Sequence, residues 1–333
     1  MANRLSRRSF LQTTALGTGG LAMAQPGASV PKRSLGQTGL DVSCMGLGGY
    51  HLGTIQDQQM VDRVVNEAID SGINFFDNAW EYHDGRSEEV VGQALEGKRD
   101  KVIVMTKVCT HGRKKDVAMQ QLEESLRRLR TDHIDVWQIH EVIYWNDPDL
   151  IFAPGGAAEA LVDAKKQGKV RFVGFTGHKD PRIHLKMLSH KFPFDTVQMP
   201  LNCFDATYRS FEQQVLPELN RQSIAALGMK SFGGSGEMLR KGAVTPAEAL
   251  RYAMSLPVAV TISGVDTLEV LHQNLGIARG FKPLEASAMQ ALRERCRNYS
   301  ADGRLELFKM TVKYDGKIGR EQHGYQSPEE LPL

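Results

Sequence analysis

Val102-Ile-Val-Met-Thr106, then Asp116 to Arg130, then Ile134-Asp-Val-Trp-Gln-Ile139: this succession decides the fold. The first and last runs are short, apolar and rich in β-branched residues. Between them Ala118, Leu122, Leu126 and Leu129 fall at steps of four, four and three, one apolar stripe with charged residues elsewhere. Strand, amphipathic helix and strand in that order make a βαβ unit, and strands apolar throughout belong in a parallel sheet covered on both faces. The alternation extends in both directions. Further strand-like runs stand at Val42–Met45, Asn74–Phe76, Val170–Phe175, Thr196–Met199, Ile224–Leu227 and Val258–Ile262. Helical stretches begin near Asp57, Ser87, Gly156, Pro181, Tyr208, Pro246 and Thr267, with Thr245 before Pro246 suiting a capped start. Eight strand–helix units in about 260 residues predict an α/β protein with a closed (β/α)8 TIM barrel rather than an open sheet. Segment 32–41, with Gly36 and Gly39 in turn positions, reads as a small hairpin closing the barrel floor.

The rest of the chain bounds the function class. Its 333 residues carry 41 Lys and Arg against 39 Asp and Glu, and a formal charge of +2 gives no electrostatic footprint for nucleic acid. A 41% hydrophobic content argues against bulk disorder and against an integral membrane protein. Cys44, Cys109, Cys203 and Cys296 lie far apart, without the spacing of a zinc knuckle or a disulfide scaffold. The first residues differ in kind. Arg4, Arg7 and Arg8 precede an uncharged stretch, Ser9 to Ala24, which closes on the small-x-small pattern Ala22-Met23-Ala24. That stretch is too short and too polar to span a bilayer, so no stable membrane insertion is expected. The run Ser6-Arg-Arg-Ser-Phe-Leu-Gln12 resembles a twin-arginine (Tat) export signal, which implies passage through the twin-arginine machinery to the bacterial periplasm. The expected organisation is a signal peptide over 1–24, a linker over 25–33, the barrel over 34–297 and an extension over 298–333. Gly316, Gly319, Gly324 and Pro328 make the last twenty residues read as an irregular surface tail.

Active sites of such barrels lie at the C-terminal ends of the strands. Asp77 follows Phe75-Phe76 there, Lys107 follows Val102–Thr106, and His140 follows Val136–Ile139. Thr176, His178, Gln198, Lys230 and Ser231 stand at the ends of later strands, so the barrel mouth should be polar. Asp77-Asn-Ala-Trp-Glu-Tyr82, followed by Gly85-Arg-Ser-Glu88 and then by Lys107 and His140 ending the next two strands, resembles the aldo/keto reductase family. The resemblance runs from about Arg33 to about Ala278. It includes Gly46-Leu-Gly-Gly-Tyr50, Gly168-Lys-Val-Arg-Phe-Val-Gly174, and Gly264 through Asn274-Leu-Gly276. It implies an oxidoreductase that moves a hydride between a nicotinamide cofactor and the carbonyl or alcohol carbon of an aldehyde, ketone or sugar-like substrate. Tyr82 would carry the proton, Lys107 would tune the phenol, Asp77 would fix Lys107, and His140 would hydrogen-bond the carbonyl oxygen. The chemistry suits these residue types. An ordinary tyrosine near pKa 10 is a poor acid at neutral pH, and a neighbouring ammonium stabilises the tyrosinate.

By the same resemblance Gln198 holds the nicotinamide, and the 230–236 loop, with Lys230, Ser231 and three glycines, covers the pyrophosphate. Gly264 borders the site, and Gln273 and Asn274 contact adenine. Three departures stand out. Thr176-Gly177-His178 replaces the usual Ser-Asn pair at the carboxamide, and Met229 stands where an aromatic ring usually stacks. Between Gly264 and Asn274 there is no Lys or Arg for a 2′-phosphate, while Asp266 and Glu269 disfavour one. NADP(H) remains the expected cofactor, with NAD(H) the alternative. Two other readings compete: a metal-dependent barrel hydrolase using His83, His140 and His178 with Asp77, and a nicotinamide-binding sensor or partner subunit with little turnover. Tyr50, Trp80, Tyr144 and Trp145 are candidates to line the mouth, and the 141–155 loop and the tail to set specificity.

Overall fold

A computed structural model describes residues 29–109 and 113–331. Residues 1–24, read above as an export signal, lie outside the described residues, as does the first part of the expected linker. The chain enters through an antiparallel hairpin of β1 (Lys32–Ser34) and β2 (Asp41–Ser43). Eight parallel strands follow: β3 (Met45–Gly48), β4 (Phe75–Asp77), β5 (Ile103–Cys109), β6 (Ile134–His140), β7 (Val170–Thr176), β8 (Thr196–Pro200), β9 (Ala225–Met229) and β10 (Val260–Gly264). They close in chain order, with β10 pairing back on β3, into the expected (β/α)8 barrel. Each strand leads to an outer helix. These are α1 (Gln58–Asp70), α2 (Arg86–Ala94), α3 (Lys115–Arg128), α4 (Ala157–Lys166), α5 (Pro181–Ser189), α6 (Leu216–Arg221), α7 (Pro246–Ser255) and α8 (Leu268–Ala278). A further helix, α9 (Ala286–Ser300), runs across the expected barrel boundary at residue 297.

The apolar residues divide into two bodies. One large cluster fills the layer between strands and helices, and includes the α3 stripe of Ala118, Leu122 and Leu126. A smaller one occupies the barrel interior, where Phe75, Met105, Val136, Leu227 and Val260 meet Leu35 and Val42 of the hairpin. The hairpin is therefore a plug in the floor, as its position in the chain suggested. Arg33 pins it, donating to the carbonyls of Val258 at 2.9 Å and Met254 at 2.6 Å. Helix α7 starts with a full capping box, Thr245 and Glu248 each accepting from the other's backbone N–H.

Two expectations change. The first run, Val42–Met45, is two elements: Val42 pairs with Arg33 in the hairpin, and Met45 opens β3. The end of the chain is also no surface tail. Residues 307–330 form short helical turns, with Phe308, Lys309, Asp315 and Arg320 buried, that lie over the C-terminal ends of the strands. The Gly316 N–H donates to Glu141 at 3.2 Å, Lys179 pairs with Asp315, and His323 Nε2 stands 3.1 Å from Asp147. The segment roofs one side of the mouth.

Candidate active site

Strand register gathers the polar residues. Gly264 stands beside Gly48, and Gly48 beside Asp77, so three adjacent strands end level; Thr176 pairs with Gln198 across β7 and β8. Lys107, 1% exposed, points its ammonium into this ring. Nζ pairs with Asp77, donates to the Asn78 carbonyl at 2.7 Å, and lies 3.2 Å from the Tyr82 hydroxyl. Gln198 Nε2 holds the second Asp77 oxygen at 2.9 Å. Tyr82 reaches this point because the chain after β4 turns sharply, with His83, Asp84 and Gly85 at φ of 52°, 55° and 94°. At that φ Gly85 is the residue the turn favours, and a Cβ there would also displace the Arg128 guanidinium, 2.4 Å away. His140, ending β6, presents its ring at right angles to Tyr82, with centroids 6.0 Å apart. The structure thus brings Asp77, Tyr82, Lys107 and His140 together.

Electrostatics differ from expectation at the phenol. Burial and the carboxylates of Asp77, Glu81 and Glu141 push Tyr82 well above its ordinary range, against the adjacent ammonium. Lys107 is lowered by burial, with the Asp77 carboxylate opposing the shift. His178, after β7, is pushed down to about 4 by burial, so its ring is neutral near pH 7. Its Nδ1 stands 2.9 Å from Glu141, and its ring meets the edges of Phe308 and Tyr314 from the roof.

The cofactor expectations can be tested on the polar atoms present. Thr176 Oγ1, Gln198 Oε1, Ser231 Oγ and Asn274 Oδ1 are buried without a hydrogen-bond partner among the described residues. An unsatisfied buried group costs roughly 1–3 kcal/mol, so these four atoms are open to hydrogen bonds from a ligand. They fit a nicotinamide dinucleotide, whose amide, hydroxyls and phosphates all need such partners. Met229 ends β9, half-buried, and Lys230 follows at φ 55° with Nζ over the rings of Phe308 and Tyr314. Gly233, Gly234 and Gly236 are all left-handed, and a Cβ on Gly234 would lie 2.7 Å from the Tyr314 hydroxyl. Gln273 and Asn274 sit on α8, the latter fully buried and donating to Ser263 at 3.1 Å.

Other expectations are redrawn. Trp80 turns outward, its indole N–H donating to Glu124 at 2.7 Å beneath Arg128, and Trp145 is 57% exposed between Arg182 and Lys186. Neither lines the mouth. Tyr50 lies edge-on to Tyr82, and Tyr144 packs on His323 and Tyr325 of the roof. His83 faces the Tyr50 carbonyl at 2.8 Å rather than His140, and no group of three His, Cys, Asp or Glu among the described residues is arranged to hold a metal ion. Among the described residues, the side chains named for the hydrolase reading do not gather as metal ligands. The four cysteines are buried free thiols. Sequence reasoning missed Glu81, Glu141, Phe308 and Tyr314. The two glutamates adjoin Tyr82 and His140 in the chain, which was the available signal; the roof aromatics had none.

Comparisons with known proteins bear on the family and the fold. The sequence model of the aldo/keto reductase family matches residues 44–248. Aldo-keto reductase YhdN of Bacillus subtilis is 31% identical over 208 residues, 58% of this chain and 60% of that protein. The uncharacterized oxidoreductase YqkF of the same organism is 27% identical over 304 residues, 78% of this chain and 95% of its own. The solved structure of aldo-keto reductase AKR11C1 from Bacillus halodurans shares the fold, with a TM-score of 0.67 at 24% identity over 80% of this chain and 96% of that one. No helix among the described residues is long and apolar enough to cross a membrane.

Proposed function

The chain belongs to the aldo/keto reductase family, and from that premise we propose that it moves a hydride between a nicotinamide cofactor and the carbonyl or alcohol carbon of an aldehyde, ketone or sugar-like substrate, with Tyr82 as proton donor and acceptor. One observation carries the assignment: a single buried ammonium, Lys107, touches both Asp77 and the Tyr82 hydroxyl. The cofactor, when bound, supplies the hydride in reduction and accepts it in oxidation. Thr176, Gln198, Met229, Lys230, Ser231, Gly264, Gln273 and Asn274 are the residues that would hold it. In reduction the carbonyl oxygen becomes an alkoxide, a far stronger base than a phenolate. Tyr82 therefore gives up its proton downhill even though its surroundings hold that proton firmly. As the proton leaves, Lys107 faces the new phenolate charge at 3.2 Å, and Asp77 keeps the ammonium in place. His140 donates to the same substrate oxygen and orients it. In oxidation the steps reverse.

Tyr82→Phe tests the reading: turnover should vanish while nicotinamide binding survives, and near-normal activity in this variant overturns it. A panel of aldehydes and ketones, scored by oxidation of the reduced cofactor, identifies the substrate class. NADP(H) is the preferred cofactor in this reading; fluorescence titration with both reduced cofactors tests it, and tighter binding of NADH reverses it. Residues 1–24 support export of the folded enzyme by the twin-arginine route, with its cofactor aboard and regenerated in place by coupled oxidation of a second substrate. Recovery of cofactor-loaded protein from the periplasmic fraction is the expected result. Protein that stays in the cytoplasm, or that is always empty and unable to rebind cofactor, defeats it.

A further inference from the structure

Two carboxylates bracket the imidazole of His140. Glu81 Oε1 stands 2.8 Å from Nδ1, a charge contact rather than a well-directed hydrogen bond, and Glu141 Oε2 stands 3.9 Å from Nε2. A neutral imidazole has one N–H and one lone pair. With its proton on Nδ1 it turns the Nε2 lone pair toward Glu141 and the substrate oxygen. With its proton on Nε2 it sets the Nδ1 lone pair against the half-buried Glu81 carboxylate oxygen at 2.8 Å. Either form leaves one repulsive contact in a low-dielectric site. We propose that Glu81, acting with Glu141, holds His140 with a proton on both ring nitrogens, so that the group meeting the substrate oxygen is a charged donor and Glu81 is its positioning residue. The inference deepens the reductase reading and rests on it.

The surroundings support a carboxylate at each end. Burial works to raise the Glu81 carboxyl, yet the contact with His140 outweighs it and the group stays below its ordinary range. The Cys109 thiol, beside His140 in the β5–β6 pairing, is a second hydrogen-bond partner of Glu81, and burial keeps that thiol protonated. Glu141 accepts from the Gly316 N–H at 3.2 Å and faces His178 Nδ1 at 2.9 Å, so both its oxygens are engaged as acceptors. Among the described residues, Lys107 is paired with Asp77, Arg113 with Asp147 and the Glu141 carbonyl, and Lys230 lies over Phe308 and Tyr314 of the roof. A hydrogen bond from an imidazolium is roughly twice as strong as one from a neutral ring. It strengthens further as the oxygen gains charge, which is where such a donor accelerates reduction.

The test uses the full chain with NADP bound and its histidine rings labelled with nitrogen-15. The His140 signals are identified by their loss in His140→Gln. At pH 7 both His140 ring nitrogens should carry protons in the native protein, and Glu81→Gln, which keeps the shape but not the charge, should leave one proton. Its kcat for reduction should fall tenfold or more with the KM for cofactor unchanged, whereas a merely structural role would leave the ring signals as they were. A native His140 with one bare nitrogen at pH 7 overturns the inference, and that measurement needs no variant to fold. If Tyr82→Phe turns over normally, the reductase reading itself fails. If Tyr82→Phe is silent and His140 is neutral, only this inference does.

Discussion

A buried hydroxyl without a partner destabilises the chain that carries it, and Thr176 is such a hydroxyl. Valine has nearly the same shape. Thr176→Val should therefore leave the cofactor-free protein as stable as before or up to about 1 kcal/mol more stable in urea titrations. The same change should weaken nicotinamide binding by about tenfold, or 1.4 kcal/mol. Unchanged affinity would remove Thr176 from the site. Residue types were readable at this scale. An acid, an ammonium and an imidazole on successive strands, with a phenol in the turn after the first, are an unusual set, and their chemistry converges before any coordinates are known. Glu81 and Glu141 were not readable. A carboxylate in a loop is ordinarily solvated, whereas Glu141 is buried and Glu81 half-buried because distant parts of the chain close over them.

Among the elements, four predicted strands stopped short of the observed ones for one reason. The apolar pattern ends at Phe76, Thr106, Ile139 and Phe175, whereas the strands run on through Asp77, Lys107, His140 and Thr176. These four residues are part of the ladder, held by backbone pairing, and polarity hid their secondary structure; Tyr82 alone of the catalytic set stands in the turn after β4. The C-terminal segment was misjudged for the opposite cause: its turns are irregular in sequence, and its order comes from long-range pairs. Lys309 is the centre of these. Its buried ammonium meets Asp205 and Glu306, each at 2.7 Å, and Asn202 links Glu306 to the Lys230 carbonyl. Burial and the nearby Asp205 push Glu306 up to about 7 despite Lys309. Lys309→Met leaves two buried acids without their cation and should cost about 3–5 kcal/mol in denaturant unfolding. Limited proteolysis should then cut within 306–331 first. A variant of native stability would mean that the network contributes nothing to docking the roof.

For the whole molecule, acid is the predicted weakness. Burial depresses His178 to about 4 and His184 to about 3 in the folded state, while unfolded imidazoles protonate near 6.5. As pH falls from 6.5 toward 4 the unfolded chain gains protons that the folded one does not, and stability declines by about 1.4 kcal/mol per unit for each ring. Glu306, Glu88, Glu212 and Asp315 work in the other direction, since burial makes each bind its proton more tightly when folded, while carboxyls held low by their hydrogen bonds, Asp180 and Glu248 among them, add to the loss. Thermal midpoints should fall steadily below pH 6.5. His184→Leu should flatten that slope, and an unaltered slope would show that the buried ring is not its source.

The seam of the barrel also orders events in time. Met45 of β3 pairs with Thr261 of β10, so a chain leaving the ribosome has made its first barrel strand long before the strand that completes it. Strands β4 and β5 are adjacent in the chain, so the ion pair of Asp77 and Lys107 draws on the second and third barrel strands alone. Shutting water away from it takes the whole molecule, since the ring closes only where β3 meets β10 and the roof lies over the mouth only through pairs that reach back to Glu141 and Lys179.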